Sequence, residues 1–197
     1  MDINLSNKSP SIAKGMSAPN KNSNDPKLTN APSKRDQRTT VIVGDSLLKG
    51  IRQHSLTKAS KTNTLVKCFP GSTINDYCIP VLGTRPKHAI IHCGTNDLRV
   101  SSSQEIIKQM GELCELITNE CPDIHITISS LLTRSDKEGE KVAEVNNKLK
   151  LLCSVKNFSF LLHSNIDQEC LNKSGLHLNK LGDSILAKNL IETIKHF

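Results

Sequence analysis

The chain has 197 residues, 36% of them hydrophobic and 23% charged, and its formal net charge is +7. This length suits one globular domain with a short tail, and the scattered glycines and prolines and the several apolar runs exclude collagen, coiled coils and wholly disordered chains. One Tyr, four Phe and no Trp leave few rings for stacking on bases, which disfavours an RNA-binding protein of that kind.

The amino-terminal segment, residues 1–38, differs in composition from the rest. Residues 1–40 hold seven Lys or Arg, three Asp and no aromatic residue among many Asn, Ser and Pro. Such a segment cannot bury enough apolar area to offset the entropy of ordering, so we predict a disordered basic tail. Two interpretations stay open for it: weak, salt-sensitive contact with nucleic acid or anionic surfaces, and a solvated linker without a partner.

The cysteines and the hydropathy pattern indicate a compartment. The sequence has seven cysteines, at positions 68, 78, 93, 114, 121, 153 and 170, and no C-x-x-C pair. This pattern favours reduced structural cysteines over disulfides or a zinc site. The chain has no apolar stretch typical of a signal peptide, and no run of roughly 18 apolar residues that would span a membrane. We therefore expect an intracellular, cytoplasmic protein.

Residues 39–197 have the pattern of a folded domain, in which short β-branched runs alternate with amphipathic stretches of helical length. Strands are predicted over residues 40–43, 64–69, 88–93, 124–128 and 158–162. Helices are predicted from about Leu47 and over residues 74–82, 104–121, 138–155 and 180–196. Near-continuous apolar strands that alternate with helices are typical of an α/β fold, in which helices cover both faces of a parallel sheet.

The helix predicted over residues 104–121 has one apolar stripe. Its members recur at helical spacing, and we expect all of them to be buried: Ile106, Met110, Leu113, Leu116 and Ile117. A domain of roughly 158 residues buries about two thirds of the surface that its unfolded chain exposes, so we expect it to fold without the tail.

Four positions stand at the ends of predicted strands or just before the last helix. Ser46 follows the first strand, Gly71 the second and Asn96 the third, and His177 precedes the last helix. Taken singly, each has an ordinary interpretation as a turn, a helix cap or a surface residue. Because open α/β sheets bind ligands at the carboxyl ends of their strands, we expect the four to lie close together.

This order and spacing resembles the SGNH, or GDSL-type, hydrolase superfamily over residues 40–197. The resemblance is carried by Gly44-Asp45-Ser46, Gly71, Gly94-Thr95-Asn96-Asp97 and His177. It implies a flavodoxin-like three-layer α/β/α sandwich whose five-stranded parallel sheet has the strand order 2-1-3-4-5. It also implies esterase, lipase, thioesterase or acetylhydrolase chemistry on a small ester, with no metal and no other cofactor.

Carried over residue by residue, the resemblance gives each of the four positions a role. Ser46 would be the nucleophile, and His177 would be the base that takes its proton. The oxyanion hole would consist of the Ser46 N–H, the Gly71 N–H and the side-chain amide of Asn96. The substrate would be a carboxylic ester with an acetyl or short acyl group.

The chain departs from the family at Ser174. SGNH enzymes generally place an Asp three residues before the catalytic His, and in serine hydrolases the loss of that carboxylate typically costs on the order of 10⁴ in turnover. Three outcomes are open: a slow Ser–His dyad, a substitute acid such as Asp167, or a domain that keeps the fold without the activity. The stretch 129–134, after the fourth strand, is either a wall of the substrate pocket or a plain surface loop.

A narrower resemblance, carried by Ser164-Asn165-Ile166, Leu171-Asn172 and the stretch from Gly175 to Asn179, is to SGNH-type domains of animal genomes, including those of mobile retroelements. It keeps a second function open: a non-catalytic SGNH-fold interaction module of a mobile-element protein, whose basic tail associates with nucleic acid. A nucleotide-binding doubly wound domain is disfavoured, because the chain lacks both G-x-G-x-x-G and G-x-x-x-x-G-K-[ST].

Overall fold

The structure, a computed structural model, describes residues 39–77, 81 and 83–197. The predicted tail, residues 1–38, lies outside the described residues. Cys78 does too, and the other six cysteines are all free thiols. No helix within the described part of the chain is long and apolar enough to cross a membrane.

The centre of the domain is a parallel sheet of five strands in the order β2-β1-β3-β4-β5, which confirms the predicted fold and strand order. The strands are β1 (Thr40–Gly44), β2 (Thr64–Cys68), β3 (His88–His92), β4 (His125–Ser129) and β5 (Ser159–Leu161). Gly44, the last residue of β1, pairs with Cys68 of β2 and with His92 of β3. The carboxyl ends of these three strands therefore lie side by side at one edge of the sheet.

Within the residues that the structure describes, four helices of eight residues or more connect and follow the strands. They are α1 (Gln53–Ser60), α2 (Ser103–Glu120), α3 (Gly139–Lys156) and α4 (Lys180–Lys195). Short 3-10 turns cover Ser46–Gly50, Ile74–Asp76, Asp97–Arg99 and Gln168–Cys170. Each of the three long helix predictions is within one residue of the observed bounds.

Two helix predictions were wrong in part. The helix predicted from Leu47 is a 3-10 turn, and the separate helix α1 follows it after a break at Ile51 and Arg52. The helix predicted over residues 74–82 contains a 3-10 turn at Ile74–Asp76, and its later part includes residues 78–80 and 82, which lie outside the described residues. Helix α1 has only eight residues and buries only Leu56 and Ser60, so few apolar positions in the sequence indicate it.

Alternate side chains of the strands divide the core into two layers. Val41 and Val43 of β1 pack with the cluster that contains the buried faces of α2 and α3. Ile42 packs with the cluster that contains Leu56 of α1 and Leu186 of α4. Helices therefore cover both faces of the sheet, which gives the three-layer arrangement.

The apolar stripe of α2 is buried as predicted except at one position. Ile106, Met110 and Ile117 are fully buried and Leu113 is 5% exposed, whereas Leu116 is 47% exposed. A stripe that follows the i, i+3, i+4 spacing includes positions at its margin, and Leu116 lies at that margin rather than against the core.

Candidate active site

Ser46 comes shortly after the carboxyl end of β1 and is the first residue of a 3-10 turn. The turn is held by Asp45, whose Oδ1 accepts a hydrogen bond from the Leu47 backbone N–H at 2.9 Å. Short polar side chains are preferred at this capping position because they satisfy an N–H group that the helical turn leaves free. The sequence Gly-Asp-Ser thus places the Ser46 hydroxyl at the edge of the sheet, where it is partly exposed.

His177 lies on a loop that is closed on itself just before α4. The Asn172 N–H donates to the His177 carbonyl at 2.7 Å, and Leu171 and Leu178 form an antiparallel bridge. Gly175 adopts φ +68°, a left-handed conformation that favours glycine, and a β-carbon there would lie 2.6 Å from Cβ of Ser135. The loop therefore needs a glycine two residues before the histidine.

Ser46 and His177 are 131 positions apart in sequence, and the fold brings them together. The distance from Ser46 Oγ to His177 Nδ1 is 3.5 Å, which is a long hydrogen bond. Catalytic hydrogen bonds are often long in the absence of substrate and shorten in the reacting complex. The pair thus has the geometry in which an imidazole nitrogen accepts a proton from a serine hydroxyl.

The loops that carry Gly71 and Asn96 are joined to each other. Asn96 donates through Nδ2 to the Ser72 carbonyl at 2.8 Å, and Asp97 accepts through Oδ1 from the Ile74 N–H at 3.2 Å. Gly71 has φ +84°, and a β-carbon there would meet no atom within 4 Å, so backbone conformation rather than crowding favours glycine at this position. Burial raises the pKa of the Asp97 carboxyl, and the Ile74 N–H partly offsets this effect.

A cavity of about 420 Å³ contains both members of the Ser46–His177 pair in its wall. Its lining residues are Ser46, Leu47, Lys49, Gly50, Pro70, His177, Leu178 and Asp183. Pro70 directly precedes Gly71, so the Gly71 loop borders the same cavity. Asn96 does not line it, and its contact with this loop goes through Ser72.

Asp183 is a lining residue that sequence reasoning missed. It lies in the first turn of α4, and its carboxylate packs so closely on Gly50 that a β-carbon at residue 50 would collide with it. Burial raises the pKa of the Asp183 carboxyl. An acidic residue in the first turn of a helix is common for helix stability alone, so the sequence contains no signal that separates Asp183 from an ordinary helix-start residue.

Neither of the candidate orienting groups contacts the imidazole. Ser174 donates through Oγ to Asn172 Oδ1 at 2.6 Å, and its N–H donates to the same oxygen at 3.0 Å. Asp167, named above as a substitute acid, accepts through Oδ1 from the Glu169 N–H at 3.0 Å as the cap of its own 3-10 turn. Among the described residues, no carboxylate is hydrogen-bonded to His177.

The stretch 129–134 does not line the cavity, and its residue Arg134 instead contacts the loop that carries Asn96. Arg134 is 7% exposed and donates to the Thr95 carbonyl at 3.0 Å, next to Asn96. Two further N–H groups of Arg134 hold Asp136 in a bidentate pair, with both distances at 2.5 Å. The guanidinium lowers the pKa of the Asp136 carboxyl through these hydrogen bonds. Arg134 therefore fixes the turn that presents Asn96.

Within the described residues, no group of three or more His, Cys, Asp and Glu side chains is arranged to hold a metal ion. The polar groups around the cavity are instead a hydroxyl, an imidazole, an ammonium and a carboxylate. Such groups suit proton transfer and hydrogen bonding to a small polar substrate.

Comparison of sequences finds no family model that matches the chain and no match among curated proteins. Comparison of structures finds clear likenesses. A GDSL-like lipase from Bacteroides thetaiotaomicron has 14% identity and a TM-score of 0.70, over 81% of this chain and 88% of that chain. A psychrotrophic esterase from Pseudoalteromonas has 14% identity and a TM-score of 0.66, over 81% of this chain and 97% of that chain.

A third likeness is to a member of the lipolytic G-D-S-L family from Veillonella parvula, at 18% identity and a TM-score of 0.66, over 81% of this chain and all of that chain (100%). The match extends over almost the whole length of each of the three proteins, and the sequences have diverged far. The chain thus has the fold of the GDSL-type lipases and esterases.

Proposed function

We propose that this protein hydrolyses carboxylic esters, with Ser46 as the nucleophile and His177 as the general base. The observation that carries the proposal is the 3.5 Å approach of Ser46 Oγ to His177 Nδ1 in the wall of a cavity of about 420 Å³. A hydroxyl is a weak nucleophile at neutral pH, and a neighbouring imidazole is the group that most often activates it. The likeness of the fold to esterases and lipases supports the same chemistry.

The reaction proceeds in two steps. His177 Nδ1 accepts the hydroxyl proton as Ser46 Oγ attacks the ester carbonyl carbon, and the imidazolium then returns this proton to the departing alcohol oxygen. In the second step water attacks the acyl–Ser46 ester, again with His177 as the base, and the carboxylic acid leaves. The Ser46 N–H, the Gly71 N–H and an Asn96 side-chain N–H stabilise the carbonyl oxygen while it carries negative charge.

Asn96 has the hydrogen-bonding capacity for this role. A carboxamide nitrogen carries two N–H groups, and the Ser72 carbonyl accepts only one of them. The contact with Ser72 also ties the donor to the Gly71 loop, which supplies the second donor. The Gly71 and Asn96 groups, two of the three donors proposed for the oxyanion hole, are thus held near each other before a substrate binds.

The base has an unusual environment for a serine hydrolase. Because Nδ1 faces Ser46, the neutral imidazole carries its proton on Nε2, and none of the described carboxylates accepts a hydrogen bond from that nitrogen. Asp183 lines the same cavity without a hydrogen bond to the ring. The imidazolium formed during the reaction therefore lacks a close counter-charge, and we infer slow turnover on esters with small acyl groups.

A fluorophosphonate probe tests the proposal directly, because it forms a covalent bond with an activated serine. We expect one label per chain at neutral pH, on Ser46, and no label in the Ser46→Ala or His177→Ala variants. Hydrolysis of a short p-nitrophenyl ester should fall to the uncatalysed rate in the same two variants. Equal labelling or equal ester hydrolysis in the native protein and Ser46→Ala would contradict the assignment.

The variant Ser174→Asp should hydrolyse esters faster than the native protein. A carboxylate three residues before His177 stabilises the imidazolium of the transition state. We expect a gain in kcat/KM of at least about tenfold, which corresponds to roughly 1.4 kcal/mol, because one substitution recovers only part of the contribution of a complete triad. Steady-state kinetics on a short p-nitrophenyl ester measures the change.

The variant Ser174→Asn is the matched control, because it adds a side chain of the same size without the charge. It should leave kcat/KM within about threefold of the native value. A gain in both variants would assign the effect to the shape of the loop rather than to the carboxylate. No gain in Ser174→Asp, with native activity that depends on Ser46, would mean that another residue already supplies the acid.

A further inference from the structure

Two fully buried polar atoms beneath Ser46 have no hydrogen-bond partner. They are Oδ2 of Asp45 and Nε2 of His92, and both residues are 1% exposed. Gly44 of β1 pairs with His92 of β3, so Asp45 directly follows the residue that lies beside His92. A buried polar atom without a partner destabilises the fold, and such atoms are rare in folded proteins.

A series of hydrogen-bonded side chains leads from Asn189 to His92 and indicates which nitrogen of His92 carries the proton. Asn165 and Asn189 exchange two amide hydrogen bonds, at 3.1 and 2.8 Å, and Asn189 donates one of them through Nδ2. Asn189 also donates through Nδ2 to His163 Nδ1 at 2.9 Å. His163 accepts at Nδ1, so its proton is on Nε2.

The same logic extends across β4 to β3. His163 Nε2 lies 2.7 Å from Ser129 Oγ, and Ser129 Oγ lies 2.8 Å from His92 Nδ1. When the Ser129 hydroxyl accepts the His163 proton and donates to His92 Nδ1, every polar atom of the series has a complementary partner, and the proton of His92 is on Nε2. A proton on Nδ1 would instead leave a buried Nε2 lone pair facing the field of the Asp45 carboxylate. Burial lowers the pKa of both histidines, in agreement with neutral rings.

The buried donor that results belongs to a residue beside the strand end that carries the buried acceptor. His92 presents an Nε2–H group, and Asp45 presents an oxygen that is free because its other oxygen already caps the turn at Leu47. The Asp45 carboxylate acts electrostatically on His92. A donor and an acceptor that are both withdrawn from water gain most by pairing with each other or with one ordered water between them.

We propose that His92 is a positioning residue for the nucleophile: its Nε2–H group holds the Asp45 carboxylate, directly or through one ordered water, and so fixes the turn that presents Ser46. The proposal extends the proposed ester hydrolysis and rests on it for its kinetic consequence. Ser46 supplies both the attacking oxygen and one N–H of the oxyanion hole, so rotation of this turn misplaces two groups at once. Misplacement of reacting groups by a fraction of a bond length lowers kcat without a matching change in KM.

Substitutions of His92 test the kinetic consequence. His92→Phe removes the donor and keeps a ring, and we expect kcat to fall about tenfold with KM within about twofold. His92→Gln keeps an N–H donor near the position of Nε2 and should recover most of the loss. Equal kcat in the native protein and His92→Phe would overturn the proposal, and so would a loss in His92→Gln as large as that in His92→Phe.

His88 offers the matched control. It lies on the same strand at the opposite end, is fully buried, and contacts Thr127 Oγ1 through Nε2 at 2.9 Å. His88→Phe should lower the melting temperature about as much as His92→Phe, and kcat measured well below that temperature should stay at the native value. A similar fall of kcat in both variants would assign the effect to general loosening of the sheet.

Nuclear magnetic resonance separates this proposal from the proposed function, because it needs no activity. In the native protein we expect the proton of His92 on Nε2, with a proton resonance shifted downfield by the carboxylate. In Asp45→Asn this resonance should move upfield. A His92 proton on Nδ1, or an Nε2–H resonance that is the same in both proteins, would overturn the pairing even if the protein hydrolyses esters. The expected shifts in a protein without esterase activity would leave the pairing intact and remove the proposed function.

Discussion

The variant Asn96→Ala should lose about 100-fold to 1,000-fold in kcat on a short ester, because removal of one oxyanion donor typically has an effect of this size. KM should change little, since the donor acts on charge that is present only in the transition state. The fall corresponds to roughly 3 to 4 kcal/mol of transition-state stabilisation. Steady-state kinetics at saturating ester concentration measures it.

Asn96→Ala also removes the contact with the Ser72 carbonyl, so stability has to be measured alongside activity. Asn63→Ala is the control: this exposed carboxamide donates to Thr39 Oγ1 at 3.4 Å near the opposite end of the sheet. Asn63→Ala should retain native kcat. An Asn96→Ala protein that folds normally and retains more than about a tenth of native kcat would contradict an oxyanion role for Asn96.

Acid should destabilise the fold strongly at pH values where most carboxylates are still ionised. Burial lowers the pKa of His88 to about 3, with a further contribution from His125, and burial together with His92 lowers the pKa of His163 to about 3. The ordinary value for histidine is 6.5. The two histidines therefore bind protons below about pH 6.5 in the unfolded chain but only near about pH 3 in the folded chain.

The sign of the effect follows from this difference in proton uptake. Stability is at its full value above about pH 6.5 and is lost as pH falls, by about 1.4 kcal/mol per pH unit for each such histidine. Between about pH 6.5 and about pH 4.5, protonation of His88 and His163 in the unfolded chain lowers the free energy of unfolding by roughly 5 kcal/mol in total. This loss is comparable to the whole stability of many domains. The midpoint of urea unfolding, measured at several pH values, reports the loss.

Two variants identify the groups that are responsible. His163→Asn removes one titrating group, so the slope of stability against pH should fall by about 1.4 kcal/mol per pH unit, whatever its effect on stability at neutral pH. His54 is exposed on α1, and His54→Gln should leave the slope unchanged. A urea midpoint that does not move between about pH 7 and about pH 5 would show that the buried histidines do not control acid stability.

Sequence patterns predict most of the fold for a physical reason. The strands are short runs rich in β-branched residues, and three of the four helices in the described part of the chain have 16 to 18 residues, so the parallel sheet and the strand order could be anticipated and are confirmed. Helix α1 could not, because eight residues that bury one leucine and one serine resemble a polar loop. Leu116 illustrates a further limit, since periodicity identifies the apolar face of a helix but not how much of that face a neighbouring element covers.

The positions of the candidate site that follow strands could be predicted from the sequence, but the hydrogen bonds among the buried side chains behind it could not. Ser46, Gly71 and Asn96 each follow a strand, and such positions converge at one edge of a parallel sheet. His92 and Ser129 are the last residues of β3 and β4 and His163 follows β5, but no pattern in the chain indicates that their side chains form one hydrogen-bonded series. The catalytic roles, the basic tail, the cytoplasmic location and the retroelement resemblance stay predictions.

In the proposed ester hydrolysis, the closed loop that carries His177 has a consequence for the size of the substrate. Its internal hydrogen bonds and its contact with Ser135 order the loop as the domain folds, so a substrate does not have to contribute binding free energy to bring the base to the nucleophile. Enzymes that close a loop over the substrate use contacts with remote parts of a large ligand for this purpose. A site with a base already in place suits the opposite case, a molecule so small that almost every atom of it takes part in the reaction.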